Sequence, residues 1–321
     1  MTDETPASID WSGVIPALTT PLRDDDTVDI AAAVDHAQWM IAQGCRGVVI
    51  GGSLGEGQSL TAEEKCELWK ATSAALRGRA PVIAAIGAMG TREACALARR
   101  AAACGCSGLM ILPPYAHSGD AREAIAHIDA VARETMLPAM VYNNPNAYRA
   151  DLSAAEIAGL AANNPAIQAV KDSTGDASRL ALLAKLIREG KAPPRLALFV
   201  GLDDVVLEGV AAGAHGWIAG LANALPAESV ALFEGALAAR GNPSRQVIEL
   251  NRAFMPLLKM DTVGDFVQRI KLVQAVVGRG SEQVRPPRLP LAPADRVACL
   301  SIIHDSLAAL GRIHTISSTT L

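Results

Sequence analysis

Lys171 closes an apolar run, Ala169-Val170-Lys171-Asp172. The chain has seven lysines, and Lys65, Lys70, Lys185, Lys191, Lys259 and Lys271 fall in helical or turn-like segments. Apolar walls penalise an ammonium, which leaves a neutral amine able to attack a carbonyl carbon and form a Schiff base. An ion pair with Asp172 or another carboxylate is the competing role, and position alone leaves both open. Tyr142 closes another apolar run, with Asn143-Asn144-Pro145 behind it. A phenol there can give and take a proton beside a bound carbonyl, or simply pack on a helix. In Gly52-Ser53-Leu54-Gly55-Glu56, successive backbone N–H groups and the Ser53 hydroxyl suit a carboxylate, with Glu56 available to brace the loop. Tyr115, after Pro113-Pro114, is a residue of the site mouth or of an interface.

These residues share one feature, a place at the end of a short apolar run or just after it. Eight such runs are expected as strands: Val14–Thr19, Gly47–Gly51, Val82–Ile86, Gly108–Leu112, Ala139–Tyr142, Ala166–Val170, Ala197–Val200 and Gly216–Ile218. Near-continuous apolar runs of this length suit parallel strands buried on both faces. Amphipathic segments alternate with them. Thr61-Ala62-Glu63-Glu64 and Ser153-Ala154-Ala155-Glu156 are capping boxes that mark two helix starts. Eight βα units point to a closed (β/α)8 TIM barrel, whose chemistry belongs at the C-terminal ends of the strands. An open dinucleotide-binding sheet would want Gly-x-Gly-x-x-Gly after its first strand, and that turn is absent. The expected division is an N-terminal segment 1–11, a catalytic barrel 12–241, a helical extension 242–316 and a frayed tail 317–321. Pro243–Leu258, Val263–Val277 and Pro293–Leu310 are the extension's three expected helices.

Composition narrows the function further. Half of the 321 residues are hydrophobic, only 3% are aromatic, and the net charge is −4 with both signs interspersed. No basic stripe offers a nucleic-acid footprint. No uncharged apolar run reaches membrane-spanning length, and the polar, acidic start lacks a signal-peptide layout, so no membrane partner and a cytoplasmic location are expected. The six cysteines form no Cys-x-x-Cys, and the six histidines are scattered, so neither a metal nor another cofactor is expected.

Taken in order, Pro21, Gly52-Ser53-Leu54-Gly55-Glu56, Pro113-Pro114-Tyr115, Tyr142-Asn143-Asn144-Pro145 and Lys171-Asp172-Ser173-Thr174-Gly175 resemble the dihydrodipicolinate synthase/N-acetylneuraminate lyase family of class I aldolases. The resemblance spans roughly Val14 to Leu225, with a similar helical tail. It implies that Lys171 condenses with pyruvate or the 2-oxo end of a substrate and that Tyr142 shuttles protons. It further implies that Ser53 and the Leu54 amide hold the carboxylate, with Gly52 and Tyr115 among the residues that position the substrate, and that the chain forms a homotetramer with Tyr115 near its tight-dimer interface.

Two departures bear on the aldehyde partner. Dihydrodipicolinate synthases carry a Thr-Thr pair where this chain has Ser53-Leu54, and an arginine where it has Ala147. Leu54 cannot relay protons and Ala147 cannot bind a carboxylate, which disfavours 4-hydroxy-tetrahydrodipicolinate synthesis. The string from Tyr142 to Asp151 is similar instead to the hydratase-aldolases, which cleave aromatic 2-oxo-but-3-enoates to an aldehyde and pyruvate. Asn144 would then position the added water, and Trp217, in the eighth run, would stack on the aromatic ring or else fill the barrel. The alternatives are an aldolase or dehydratase of a 2-keto-3-deoxy sugar acid, expected to have a mouth rich in hydroxyl and amide groups, and a non-catalytic barrel that binds 2-oxo acids.

Overall fold

The computed structural model describes residues 9–117, 119–239 and 241–311. Residues 1–8 and the expected frayed tail Ser317–Leu321 lie outside the described residues. Eight parallel strands run through the centre: β1 (Gly13–Val14), β2 (Val48–Ile50), β3 (Val82–Ile86), β4 (Gly108–Ile111), β5 (Ala139–Asn143), β6 (Ile167–Asp172), β7 (Ala197–Val200) and β8 (Gly216–Trp217). The helices between and after them are α1 (Ile30–Ala42), α2 (Ala62–Leu76), α3 (Thr91–Ala103), α4 (Ala121–Ala132), α5 (Pro145–Tyr148), α6 (Ala154–Asn163), α7 (Ala177–Arg188), α8 (Val206–Ala211) and α9 (Pro226–Ala238). The sheet runs β1-β8-β7-β6-β5-β4-β3-β2. A parallel bridge from Ala17 to Val49 then joins β1 back to β2 and closes the barrel.

The eight expected runs are therefore the eight strands. β3 and β7 have the expected bounds, and β6 runs on to include Lys171 and Asp172. β1 is the most shortened, and Pro16 is the reason. Its missing N–H removes a rung on the β2 side. Closure there rests on Arg46 N–H to Val14 O, Val49 N–H to Pro16 O and Leu18 N–H to Val49 O, each 2.8 Å. Every residue of β3, β5 and β6 is buried, as a sheet covered on both faces requires. Inside the barrel Phe199 packs over Gly216, where a Cβ would come within 2.2 Å of the ring. The capping boxes at Thr61 and Ser153 start α2 and α6, and Asp120 with Glu123 makes a third at α4.

The extension folds as α10 (Arg245–Leu258), α11 (Phe266–Val276) and α12 (Pro293–Ala309). It is sewn to the mouth of the barrel. Lys271 of α11 meets Glu56 of the β2 loop at 2.6 Å, with both side chains buried. Gln274 accepts from the Thr19 hydroxyl at 2.8 Å and contacts His36 of α1 at 3.2 Å. The connector from α11 to α12 is pinned by Arg285. Its guanidinium binds Glu64 twice at 2.8 Å and the Ser59 carbonyl, and its amide donates to Glu56.

Candidate active site

A cavity of about 460 Å³ opens at the C-terminal ends of the strands. Side chains alternate along a strand, so every second residue faces the lumen. That parity points Met110, Tyr142, Lys171 and Ile218 into the cavity. It turns Asn143, Asp172 and Trp217 outward, toward the helices.

Lys171 is buried, and its Nζ lies 4.1 Å from the centre of the Tyr142 ring. Among the described residues no carboxylate comes within ion-pair distance of it. Asp172 is occupied on the other face of the strand, where it accepts from the Thr174 N–H and hydroxyl and from Asn143. The ion-pair role that position left open is thus removed by the pleat.

Asn144 donates from Nδ2 to the Tyr142 hydroxyl at 2.9 Å. Its Oδ1 accepts from the Ala147 N–H and caps α5. Both ends of the amide are engaged, so Asn144 orients Tyr142. The α5 turn then carries Tyr148 back over the site. Tyr148 hydrogen bonds to the Ser53 hydroxyl at 2.5 Å and lies with its ring centre 5.8 Å from those of both Tyr142 and Tyr115. Burial pushes the Tyr115 phenol up to about 12 and raises that of Tyr148, with the neighbouring phenols adding to both. The three tyrosines in the chain all stand at this mouth. Tyr148 was not singled out from the sequence, although that scarcity was the signal for it. Tyr115 itself faces a neighbouring hollow with Met89 and Glu93.

Gly52, Ser53 and Leu54 line the cavity together. The Ser53 and Leu54 amides make no hydrogen bond among the described residues, which leaves two donors for a carboxylate. Glu56 sits deeper and accepts from Lys271 and the Arg285 amide, so it braces the loop against the extension.

Trp217 corrects the sequence reading. It is fully buried, does not line the cavity, and donates from its indole N–H to Asp203 at 2.9 Å. Neither ligand stacking nor lumen filling describes it, because it packs on the outer side of the strand. Asp203 also accepts from the Gly220 and Leu221 amides. Burial raises its carboxyl to about 6, and these three donors oppose that rise.

The extension also enters the site, which a barrel-only reading misses. Asp261, Thr262, Val263, Gly264 and Phe266 form one wall of the cavity, and Arg288 stands in another. Asp261 fits because residue 220 is glycine: a Cβ there would meet Asp261 Oδ1 at 2.0 Å. Burial first, and the nearby Asp203 charge second, raise the Asp261 carboxyl well above its ordinary value, while Lys171 opposes them.

Such a barrel is that of a carbon–carbon lyase of the class I, pyruvate-dependent kind. The chain belongs to the Dihydrodipicolinate synthetase family, whose family model matches residues 10–305. A 4-hydroxy-tetrahydrodipicolinate synthase of Rhizobium meliloti (strain 1021) is 34% identical over 285 residues, covering 88% of this chain and 94% of its own. An uncharacterized DapA-like lyase of Rhizobium meliloti is 31% identical over 284 residues, covering 88% and 91%. Among solved structures, the chloride-inhibited dihydrodipicolinate synthase of Acinetobacter baumannii, complexed with pyruvate, is 28% identical with a TM-score of 0.83, covering 92% of this chain and 98% of that one. The dihydrodipicolinate synthase of Aquifex aeolicus shares the fold at a TM-score of 0.86 and 24% identity, covering 96% and 100%.

Proposed function

We propose that this lyase works through an imine between Lys171 and the 2-oxo carbon of its substrate, and that the substrate is a hydroxylated, sugar-derived 2-oxo acid of the 2-keto-3-deoxy type. The observation that carries the mechanism is the Lys171 amine beside the Tyr142 ring in this cavity, with no carboxylate within ion-pair distance among the described residues. Lys171 Nζ adds to C2, and the carbinolamine expels the former carbonyl oxygen as water, leaving an iminium. The C3–C4 bond then breaks, with its electron pair moving into the iminium to give an enamine. The C4 hydroxyl loses its proton and becomes the aldehyde. Tyr142, held by Asn144, is the group that moves this proton. Protonation at C3 and attack of water on C2 release pyruvate and free the lysine. Ser53 and the two free amides at 53 and 54 hold the carboxylate.

The choice of substrate rests on the walls. Gln58, Asn146, Ser173, Asp261 and Thr262 offer hydroxyl, amide and carboxyl groups to a polyhydroxylated chain. Trp217, on which an aromatic substrate would depend, is turned away. Hydratase-aldolase cleavage is the second reading, because Met110, Leu202, Ile218 and Phe266 supply an apolar wall. Some relatives are named 4-hydroxy-tetrahydrodipicolinate synthase, yet Leu54 and Ala147 argue for a different aldehyde here. Pyruvate release, coupled to lactate dehydrogenase, should be followed over sugar-derived 2-oxo acids and aromatic 2-oxo-but-3-enoates. Turnover of the sugar-derived set supports the proposal, and turnover of the aromatic set alone would replace it with the second reading. The tetramer implied by the resemblance is part of the same proposal, with the exposed Met89 beside Tyr115 as its support.

A further inference from the structure

Arg288 has no place in the chemistry so far, yet its side chain lines the cavity and is only 19% exposed. It is brought there by a rigid support. Arg285 clamps the connector to Glu64, Ser59 and Glu56, and the Arg288 amide then donates to the Arg285 carbonyl at 3.1 Å across the Pro286-Pro287 turn. The guanidinium of Arg288 meets one carboxylate, Glu56, at 3.9 Å. That oxygen pair is already taken by Lys271 at 2.6 Å and the Arg285 amide at 2.9 Å. Glu64 is likewise taken by Arg285. The local count of charges therefore leaves Arg288 in excess. It makes no side-chain hydrogen bond among the described residues. A half-buried guanidinium with unused donors, on a clamped turn, is a site for a planar anion.

We infer that Arg288 binds a second carboxylate, at the end of the substrate remote from the 2-oxo acid, so that the preferred substrate is a 2-oxo diacid. The inference rests on the lyase reading above and deepens it. A carboxylate matches one guanidinium in charge and in its two-pronged geometry, whereas a phosphate dianion would want a second cation. Apart from Lys171, Arg288 is the one cation lining this cavity among the described residues. The group that reads the substrate's far end thus comes from the extension, while Ala147 leaves the β5 loop without a charge there.

Three six-carbon 2-keto-3-deoxy acids test this, ending at C6 in a carboxylate, a hydroxymethyl or a phosphate ester. The quantity to measure is the ratio of kcat/KM for the diacid to that for the hydroxymethyl acid. In the wild type the diacid should be preferred over both others. In Arg288→Gln the ratio should fall about 10- to 100-fold, the range for loss of a charge-assisted hydrogen-bonded pair. Arg288→Lys, which keeps the charge and loses the fork, should fall between them. Thermal unfolding of each variant shows whether it is folded, and the lysine variant carries the test if the glutamine variant is not. An equal fall for both acids would overturn the inference, since Arg288 would then serve the carboxylate next to the carbonyl or the fold itself. Preference for the phosphate ester would overturn the choice of carboxylate. Borohydride trapping of pyruvate on the wild type separates the two levels: an adduct with an unchanged ratio defeats the inference alone, and no adduct defeats the imine mechanism beneath it.

Discussion

The Tyr142 hydroxyl receives Asn144 Nδ2, and the Tyr148 hydroxyl is bonded to Ser53, so two phenols with different partners stand over one amine. Tyr142→Phe should lower kcat about 10²- to 10⁴-fold, the usual span for a lost proton carrier, with KM nearly unchanged. Tyr148→Phe keeps the ring and loses the Ser53 bond. It should cost kcat roughly 10-fold, less than Tyr142→Phe, because its hydroxyl acts one partner further away. Steady-state kinetics on one substrate checks both. Lys171 and Tyr142 were legible because each closes an apolar run, where a barrel keeps its chemistry. Trp217 was misread for a reason of one residue. Its neighbour Ile218 faces the cavity, and the strand period of two sends Trp217 to the opposite face.

At the scale of elements, the buried pair Glu56–Lys271 ties α11 to the β2 loop. Burial lowers the Lys271 ammonium and Glu56 counteracts that shift. Lys271→Met would leave the Glu56 carboxylate buried without its ammonium, and should cost about 3–5 kcal/mol of stability in urea unfolding. Replacing both residues, Glu56→Gln with Lys271→Met, should recover part of that loss. His36 of α1, packed on Trp39 and Gln274, carries a pH-dependent share. Burial lowers its imidazole from 6.5 to about 4, and the nearby Arg279 adds to that while Asn223 and Asp35 oppose it. The unfolded chain therefore binds the proton first as pH falls. The stability is complete above pH 6.5 and is lost progressively toward pH 4, by roughly 2 kcal/mol at pH 5. His36→Gln should flatten that part of the slope between pH 7 and 5 in urea unfolding. The strands and the capped starts of α2 and α6 were legible, since period, length and caps are local. The four-residue α5 was not, because one turn has no periodicity to detect, and it is this turn that delivers Tyr148.

For the whole molecule, the extension is part of the site's wall and not an appendage. Asp261 and Arg288 reach the cavity only because α11 folds back over the barrel mouth, a non-local contact that hydrophobic period cannot reveal. Asp261→Asn keeps the size of the side chain and replaces its carboxyl with an amide. It should lower kcat/KM for a hydroxylated 2-oxo acid about 10-fold while leaving thermal unfolding close to the wild type, a split that a structural role would not produce. Light scattering should return four times the 33.4 kDa chain mass if the tetramer forms. The central claim concerns the whole cavity acting on one atom, Lys171 Nζ. The direct measurement is reduction by borohydride in the presence of pyruvate, followed by intact-mass and peptide analysis. One adduct per chain is expected, with the mass of pyruvate less one oxygen, on the peptide containing Lys171 and absent from Lys171→Arg. A folded protein that gains no adduct, or gains it at another lysine, would contradict it.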